Sequence, residues 1–214
     1  MGLLQDSDVA EVRERFALLV NPVKLVHFTQ ELNLEYGREA RQLLEELTQI
    51  SSKVSLEVYD FQRDKEKVAE YAIDNVPATV IRNDKDYGIR FYGLPAGYEF
   101  SALIEAILAV SRGDSGLRPD TREKLAKLTE PLHLQVFTTP TCPYCPPAVT
   151  MAYQFALESD LIRADGIEAT EFPDLATRFH VMAVPRTIIN GDAHVEGTLP
   201  EHFFLDAVLK AITS

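Results

Sequence analysis

"LHLQVFTTPTCPYCPPAVTMAYQFALES", residues 132–159, holds the chain's only two cysteines, Cys142 and Cys145. The apolar–polar alternation of "LHLQVF" predicts a strand, and the spacing in "AVTMAYQFALES" (148–159) predicts a helix. A strand, a short turn and a helix beginning near Cys142 set that thiol among unpaired backbone N–H groups at the positive end of a helix dipole. An anion is favoured there. A free cysteine ionises near about pH 8.5, and in Cys-x-x-Cys sites at helix starts the value falls to roughly 3.5–7.5. Cys145, three residues on, lies within the reach of a disulfide. Cys142 therefore reads as the nucleophile and Cys145 as the resolving thiol, with Pro143 and Tyr144 tuning the pair.

Working outward, "GIEATEF" (166–172) predicts a second strand, "DLATRFH" a short charged helix, and Val184-Pro185 leads into "RTIIN", another strand. The same order stands earlier: "VKLVHF" (23–28), the helical "REARQLLEELTQI", "VSLEVYDF" (54–61), "KEKVAEYAI", Val76-Pro77 and "ATVIR". The two Val-Pro pairs are 108 residues apart, and so are Tyr36 and Tyr144. A fixed offset at two landmarks points to an internal duplication. "SRGDSGLRPDTREK" (111–124) has the glycines, proline and charges of a connector. The expected organisation is two α/β domains, 1–115 and 116–214, each a central mixed sheet flanked by helices. Where the second has Cys-Pro-Tyr-Cys, the first has Leu34, Glu35, Tyr36 and Gly37, which cannot do thiol chemistry.

With 46% hydrophobic and 25% charged residues the chain has the composition of a globular protein. A net charge of -12, with lysines and arginines scattered, repels a phosphate backbone and excludes nucleic acid as a partner. The early apolar run "FALLV" is too short for a signal peptide, Asp6 stands where an N-myristoylation motif needs Ser or Thr, and no stretch approaches the roughly 18 apolar residues of a membrane span. The expected place is the cytoplasm, without membrane association. There an isolated cysteine pair is more often catalytic or metal-binding than structural.

A zinc site would need two further ligands, and His27, His133, His180, His194 and His202 form no His-x₃₋₅-His pair, so no metal is expected. His180 and His194 read as solvated or packing residues. Pro146 and Pro147 after the motif predict a kink in the helix. Arg186 is a candidate for positive charge near the thiolate, or for a side chain turned away along its strand.

The order of elements, with the dithiol after the first strand and Val-Pro before the third, resembles the thioredoxin fold. The duplicated arrangement, with "YGLPAGYEF" (92–100) and "TPTCPYCPPAV" (139–149), is similar to the two-unit protein disulfide oxidoreductases, also called glutaredoxin-like disulfide oxidoreductases, with the first unit's dithiol lost. In plan it also resembles the N-terminal domain of flavoprotein alkyl hydroperoxide reductases. The resemblance implies two tandem thioredoxin-fold units and a dithiol–disulfide oxidoreductase needing no cofactor of its own. It implies a cis Val184–Pro185 peptide forming a substrate platform, protein disulfides as substrates and a thioredoxin-reductase-like flavoprotein as electron donor. It brings Glu99 close to the junction of the units, where two readings stay open: a proton acceptor for the resolving thiol, or an exposed helix cap, the plainer of the two. Alternative functions are an electron carrier between a flavoprotein reductase and a peroxiredoxin, and a non-catalytic module binding clients at its two Val-Pro platforms.

Overall fold

The computed structural model describes residues 2–30 and 35–213, so Leu34 lies outside the described residues. In chain order the elements are α1 (Asp6–Phe16), β1 (Val23–Thr29), α2 (Glu35–Ile50), β2 (Val54–Asp60), α3 (Lys65–Glu70), β3 (Ala78–Arg82), β4 (Ile89–Tyr92) and α4 (Glu99–Arg112), then α5 (Pro119–Leu125), β5 (Leu132–Thr138), α6 (Cys145–Glu158), β6 (Ile162–Glu168), α7 (Pro173–Arg178), β7 (Arg186–Ile189), β8 (Ala193–Glu196) and α8 (Glu201–Thr213). β1 pairs with β2 in parallel and with β3 antiparallel, and β3 pairs with β4 antiparallel. The second half repeats this: β5 with β6 in parallel, β5 with β7 and β7 with β8 antiparallel.

The halves do not keep separate sheets. β4 pairs in parallel with β6, Ile89 opposite Ala164 and Tyr92 opposite Ile167, giving one eight-stranded sheet in the order β2-β1-β3-β4-β6-β5-β7-β8. Pairing two inner edges satisfies backbone groups that separate sheets would leave open. β6 begins at Ile162, four residues before the predicted strand, because Arg163 and Asp165, which the sequence reading assigned to no element, lie between β4 and β5 and are paired there.

Both faces of the sheet are covered, so neighbouring strand residues bury on opposite sides. Leu25, Leu134 and Val136 join the core beneath α2, α4, α6 and α8, while Val26, Phe28, Phe137 and Ile167 join the one beneath α3 and α7. α4 and α6 pack across the junction through Leu103, Ile107, Ala152 and Phe155. Each such large apolar side chain contributes roughly 1.5–3 kcal/mol by burial. Phe155 also meets Phe204 of α8 edge-on at 5.0 Å, and Phe155→Ala would cost about 3–5 kcal/mol. β6 and β4 approach at Gly166, where a Cβ would lie 2.8 Å from the Tyr153 hydroxyl and 2.9 Å from the Phe91 ring. Only glycine fits.

Candidate active site

β5 ends at Thr138 and α6 starts at Cys145, so both sulfurs sit at the link between a buried strand and a buried helix. Cys142 N–H donates to Thr139 O at 3.1 Å, and Cys145 N–H to Cys142 O at 3.3 Å, which closes the turn. The two cysteines form a disulfide with Cα atoms 5.5 Å apart, within the usual span. Cys142 is 9% exposed and Cys145 is 0% exposed. An incoming thiolate is offered Cys142 alone.

The sequence reading started the helix at Cys142, whereas Tyr144 is the residue before its first turn. Pro146 and Pro147 then fall inside that turn, where a missing N–H is no loss, and α6 runs without a break to Glu158. The expected kink has no cause. The same prolines bear on the anion site: two of the first-turn N–H groups do not exist, and that of Cys145 is already bonded to Cys142 O. What remains for a Cys142 thiolate is chiefly the helix dipole.

On β7 the register sets Arg186 opposite Phe137, so Pro185 lies level with Thr138 at the end of β5. The Val184–Pro185 peptide is cis, as is Val76–Pro77, and Gly197 N–H donates to Pro185 O at 2.9 Å just as Gly93 N–H does to Pro77 O. Pro185 is buried and Val184 partly so. Arg186 turns to Glu196 on β8 at 2.6 Å, and His180 and His194 are exposed. Sequence reasoning missed Met182, 90% exposed two residues before Val184. It also missed Thr198, whose hydroxyl donates to Tyr144 O at 2.5 Å.

Glu99 overturns the plainer of its two readings. It is wholly buried in the first turn of α4, and neither carboxylate oxygen has a hydrogen-bond partner among the described residues. Burial first, then the Glu168 charge, push its carboxyl up to about 8. The segment leading into it is fastened to the cysteine turn, since Tyr98 N–H donates to Pro140 O at 3.0 Å. Gly97, at φ 58°, lies so close to Pro140 O that a side chain would have no room. Leu94 N–H crosses to Glu171 Oε1 at 2.7 Å. Glu168, whose charge acts on Glu99, and Glu171, which takes the Leu94 N–H, carried no signal in the sequence, because both act across the β4–β6 junction.

In the first half the matching stretch supplies Tyr36, half exposed, and a buried Gly37. His27 on β1 stands where Val136 stands on β5, each paired across to a threonine, Thr79 and Thr187. Its Nδ1 lies 3.0 Å from Thr79 Oγ1.

A protein disulfide oxidoreductase from Aeropyrum pernix K1 is 34% identical to this chain, covering 97% of it and 93% of its own length, with a TM-score of 0.91. The chain belongs to the thioredoxin-fold protein disulfide oxidoreductases. Residues 132–210, which include the dithiol, match the thioredoxin domain family. A subunit of the alkyl hydroperoxide reductase from Xanthomonas campestris pv. phaseoli is 28% identical over 163 residues, 76% of this chain and 29% of that protein. The chain thus spans under a third of the length of the curated relatives it matches. The structure of the corresponding alkylhydroperoxide reductase protein, AhpF, from Enterococcus faecalis (V583) shares the fold, with a TM-score of 0.89 at 24% identity over 96% of this chain and 99% of that one.

Proposed function

We propose that the chain is a dithiol–disulfide oxidoreductase of two tandem thioredoxin-fold units, 1–115 without a dithiol and 116–214 with it, and that catalysis is confined to the second. The unequal access to the two sulfurs carries this reading. The Cys142 thiolate attacks one sulfur of a client disulfide, whose other sulfur leaves as a thiolate and takes a proton from water. Cys145 passes its proton to the Glu99 carboxylate and attacks Cys142, and the client's first sulfur leaves in turn. Two electrons have moved: the client is reduced and Cys142–Cys145 oxidised. In the opposite direction Glu99 returns the proton to Cys145 as the disulfide opens.

Tyr144 and Met182, both exposed beside the turn and the Val184–Pro185 segment, suit an extended peptide lying across the site. Electrons come from a flavoprotein of the thioredoxin-reductase kind. Similarity to the alkyl hydroperoxide reductase protein favours a second reading, a carrier passing those electrons to a peroxiredoxin. Among the described residues no helix is long and apolar enough to cross a membrane, and we assign the work to the cytoplasm, where a dithiol is kept reduced.

The test is reduction of insulin disulfides by the chain and by Cys142→Ser. The variant should lose at least about a hundredfold in rate. Equal rates would leave only a client-binding module.

A further inference from the structure

The turn that carries the two sulfurs is short of backbone donors. From Cys142 to Pro147 there are six amide positions, and Pro143, Pro146 and Pro147 have no N–H. Cys142 N–H is taken by Thr139 O at 3.1 Å and Cys145 N–H by Cys142 O at 3.3 Å, which leaves Tyr144 N–H as the one without an acceptor among the described residues. Arg186, the cation that follows Pro185 on β7, is held by Glu196 at 2.6 Å. The first-half segment docked on the turn, through Tyr98 N–H and Pro140 O, brings an acid next, Glu99. The two oxidation states feel this shortage unequally. The disulfide is neutral and indifferent to nearby N–H groups, whereas the reduced pair places charge on Cys142, and each donor aimed at that sulfur stabilises the reduced state. Cys-x-x-Cys enzymes with the most stabilised thiolates are accordingly the strongest oxidants, because they hold their electrons. Withholding donors acts the other way. Reactivity suffers little, since a less stabilised thiolate is the better nucleophile.

We propose that Pro146 and Pro147 set the dithiol as an electron donor: by deleting the first amides of α6 they keep the Cys142 thiolate poorly stabilised, so that electrons leave it readily. The proposal rests on the reading of Cys142 and Cys145 as an exchanging pair, and adds the direction of exchange. The reduced chain gives two electrons to a client. A client S–S bond breaks, the Cys142–Cys145 bond forms, and the two protons of the dithiol end on the two client sulfurs; a flavoprotein reductase returns two electrons to the pair. The prolines differ in what else they do. Pro146 is buried and Pro147 exposed, so Pro147→Ala restores an amide without opening a gap in the core. An alanine at 146 adds the N–H that can take Cys142 O in an α-helical turn and so release the Cys145 N–H for the sulfur.

The experiment is equilibration of the chain with mixtures of reduced and oxidised glutathione near neutral pH, beside the pH dependence of Cys142 alkylation by iodoacetamide. The unsubstituted chain should reduce oxidised glutathione. The double variant Pro146→Ala, Pro147→Ala should shift the equilibrium toward the reduced chain by roughly tenfold, which is about 30 mV, and Pro147→Ala alone, which disturbs no packing, by a smaller factor in the same direction. In both, alkylation should set in at lower pH. An equilibrium unmoved in both variants, or an unsubstituted chain more oxidising than glutathione, would overturn the proposal and leave the exchange itself standing. A shifted equilibrium with an unshifted alkylation profile would place the effect in the packing of the disulfide, which also overturns it. A chain that never exchanges with glutathione would sink the reading of the pair and the proposal with it.

Discussion

The two halves set a side-chain pair on a carboxylate at the same place in their strands, and the surroundings of the pairs differ. Lys24 Nζ reaches Glu57 Oε1 from β1 to β2 at 2.6 Å, and His133 Nε2 reaches Asp165 Oδ2 from β5 to β6 at 2.6 Å. The Lys24 and Glu57 side chains are 42% and 37% exposed, those of His133 and Asp165 35% and 2%. The difference comes from topology: β2 is an edge strand, while β6 has β4 on its other side. Burial alone would push the Asp165 carboxyl up, yet the His133 hydrogen bond and the Arg163 charge hold it below its ordinary value. Arg163 forks onto Asp165 at 2.9 and 3.1 Å and also donates to Ala72 O and the Tyr92 hydroxyl, both at 2.8 Å in the first half. Fusing the sheets turned a solvated contact into one that the junction depends on.

The most direct way to break this comparison is to remove one cation that holds each carboxylate. Arg163→Met leaves a buried carboxylate short of its guanidinium partner and should cost about 3 kcal/mol or more, whereas Lys24→Met should cost less than about 1 kcal/mol. Urea unfolding of the two variants gives both numbers. Equal losses would mean that water enters between β4 and β6 and that Asp165 is not held in a dry site.

Local features were legible in the sequence. The strand–turn–helix around Cys142 and Cys145 and the two Val-Pro strands depend on residues within a few positions of each other. The repeated order of elements was visible for the same reason. What escaped reading depends on the junction. Arg163 and Asp165 were assigned to no element, and β6 was expected to start at Gly166, because the β4 neighbour that pairs them is far away in sequence. Glu99 looked like a helix cap because its spacing in "EFSALIEAILAV" permits one; only the fold shows that its side chain is buried while Tyr98 beside it stays half exposed. The start of α6 was displaced because Pro143 was counted as helical, when the chain turns first and enters the helix after Tyr144.

A second contrast lies at matched register in β1 and β5, His27 against Val136. Burial pushes the His27 ring down from 6.5 to about 4. Below pH 6.5 the unfolded chain therefore binds a proton that the folded chain refuses until about pH 4, and stability falls across that window by on the order of 3 kcal/mol. Glu99 acts with the opposite sign: raised from 4.5 to about 8, it favours the fold at low pH, and that advantage is lost as pH rises between those values. His27→Val copies the second half into the first and should flatten the acid side of a stability–pH curve, while Glu99→Gln flattens the other side. An acid slope unchanged by His27→Val would show that the ring titrates freely and that the two positions are not alike in burial.

The smallest effect separates the residues that follow the glycines at the sheet ends, Leu94 after Gly93 and Thr198 after Gly197. Leu94 uses its backbone N–H to reach Glu171 in the other half, while Thr198 uses its hydroxyl to hold Tyr144 O in its own. The Thr198 bond is exposed, so water can replace it, and Thr198→Val should cost at most about 1 kcal/mol. What the bond restrains is the carbonyl immediately before Cys145, at the turn that has to let the two sulfurs separate and rejoin. The substitution keeps the shape of the side chain, so a change in the rate of dithiothreitol reduction would come from a freer turn. A rate and melting temperature both indistinguishable from those of the unsubstituted chain would mean that Cys142 N–H and Cys145 N–H hold the turn unaided, and that only the first half's tie, from Leu94 to Glu171, bears on the site.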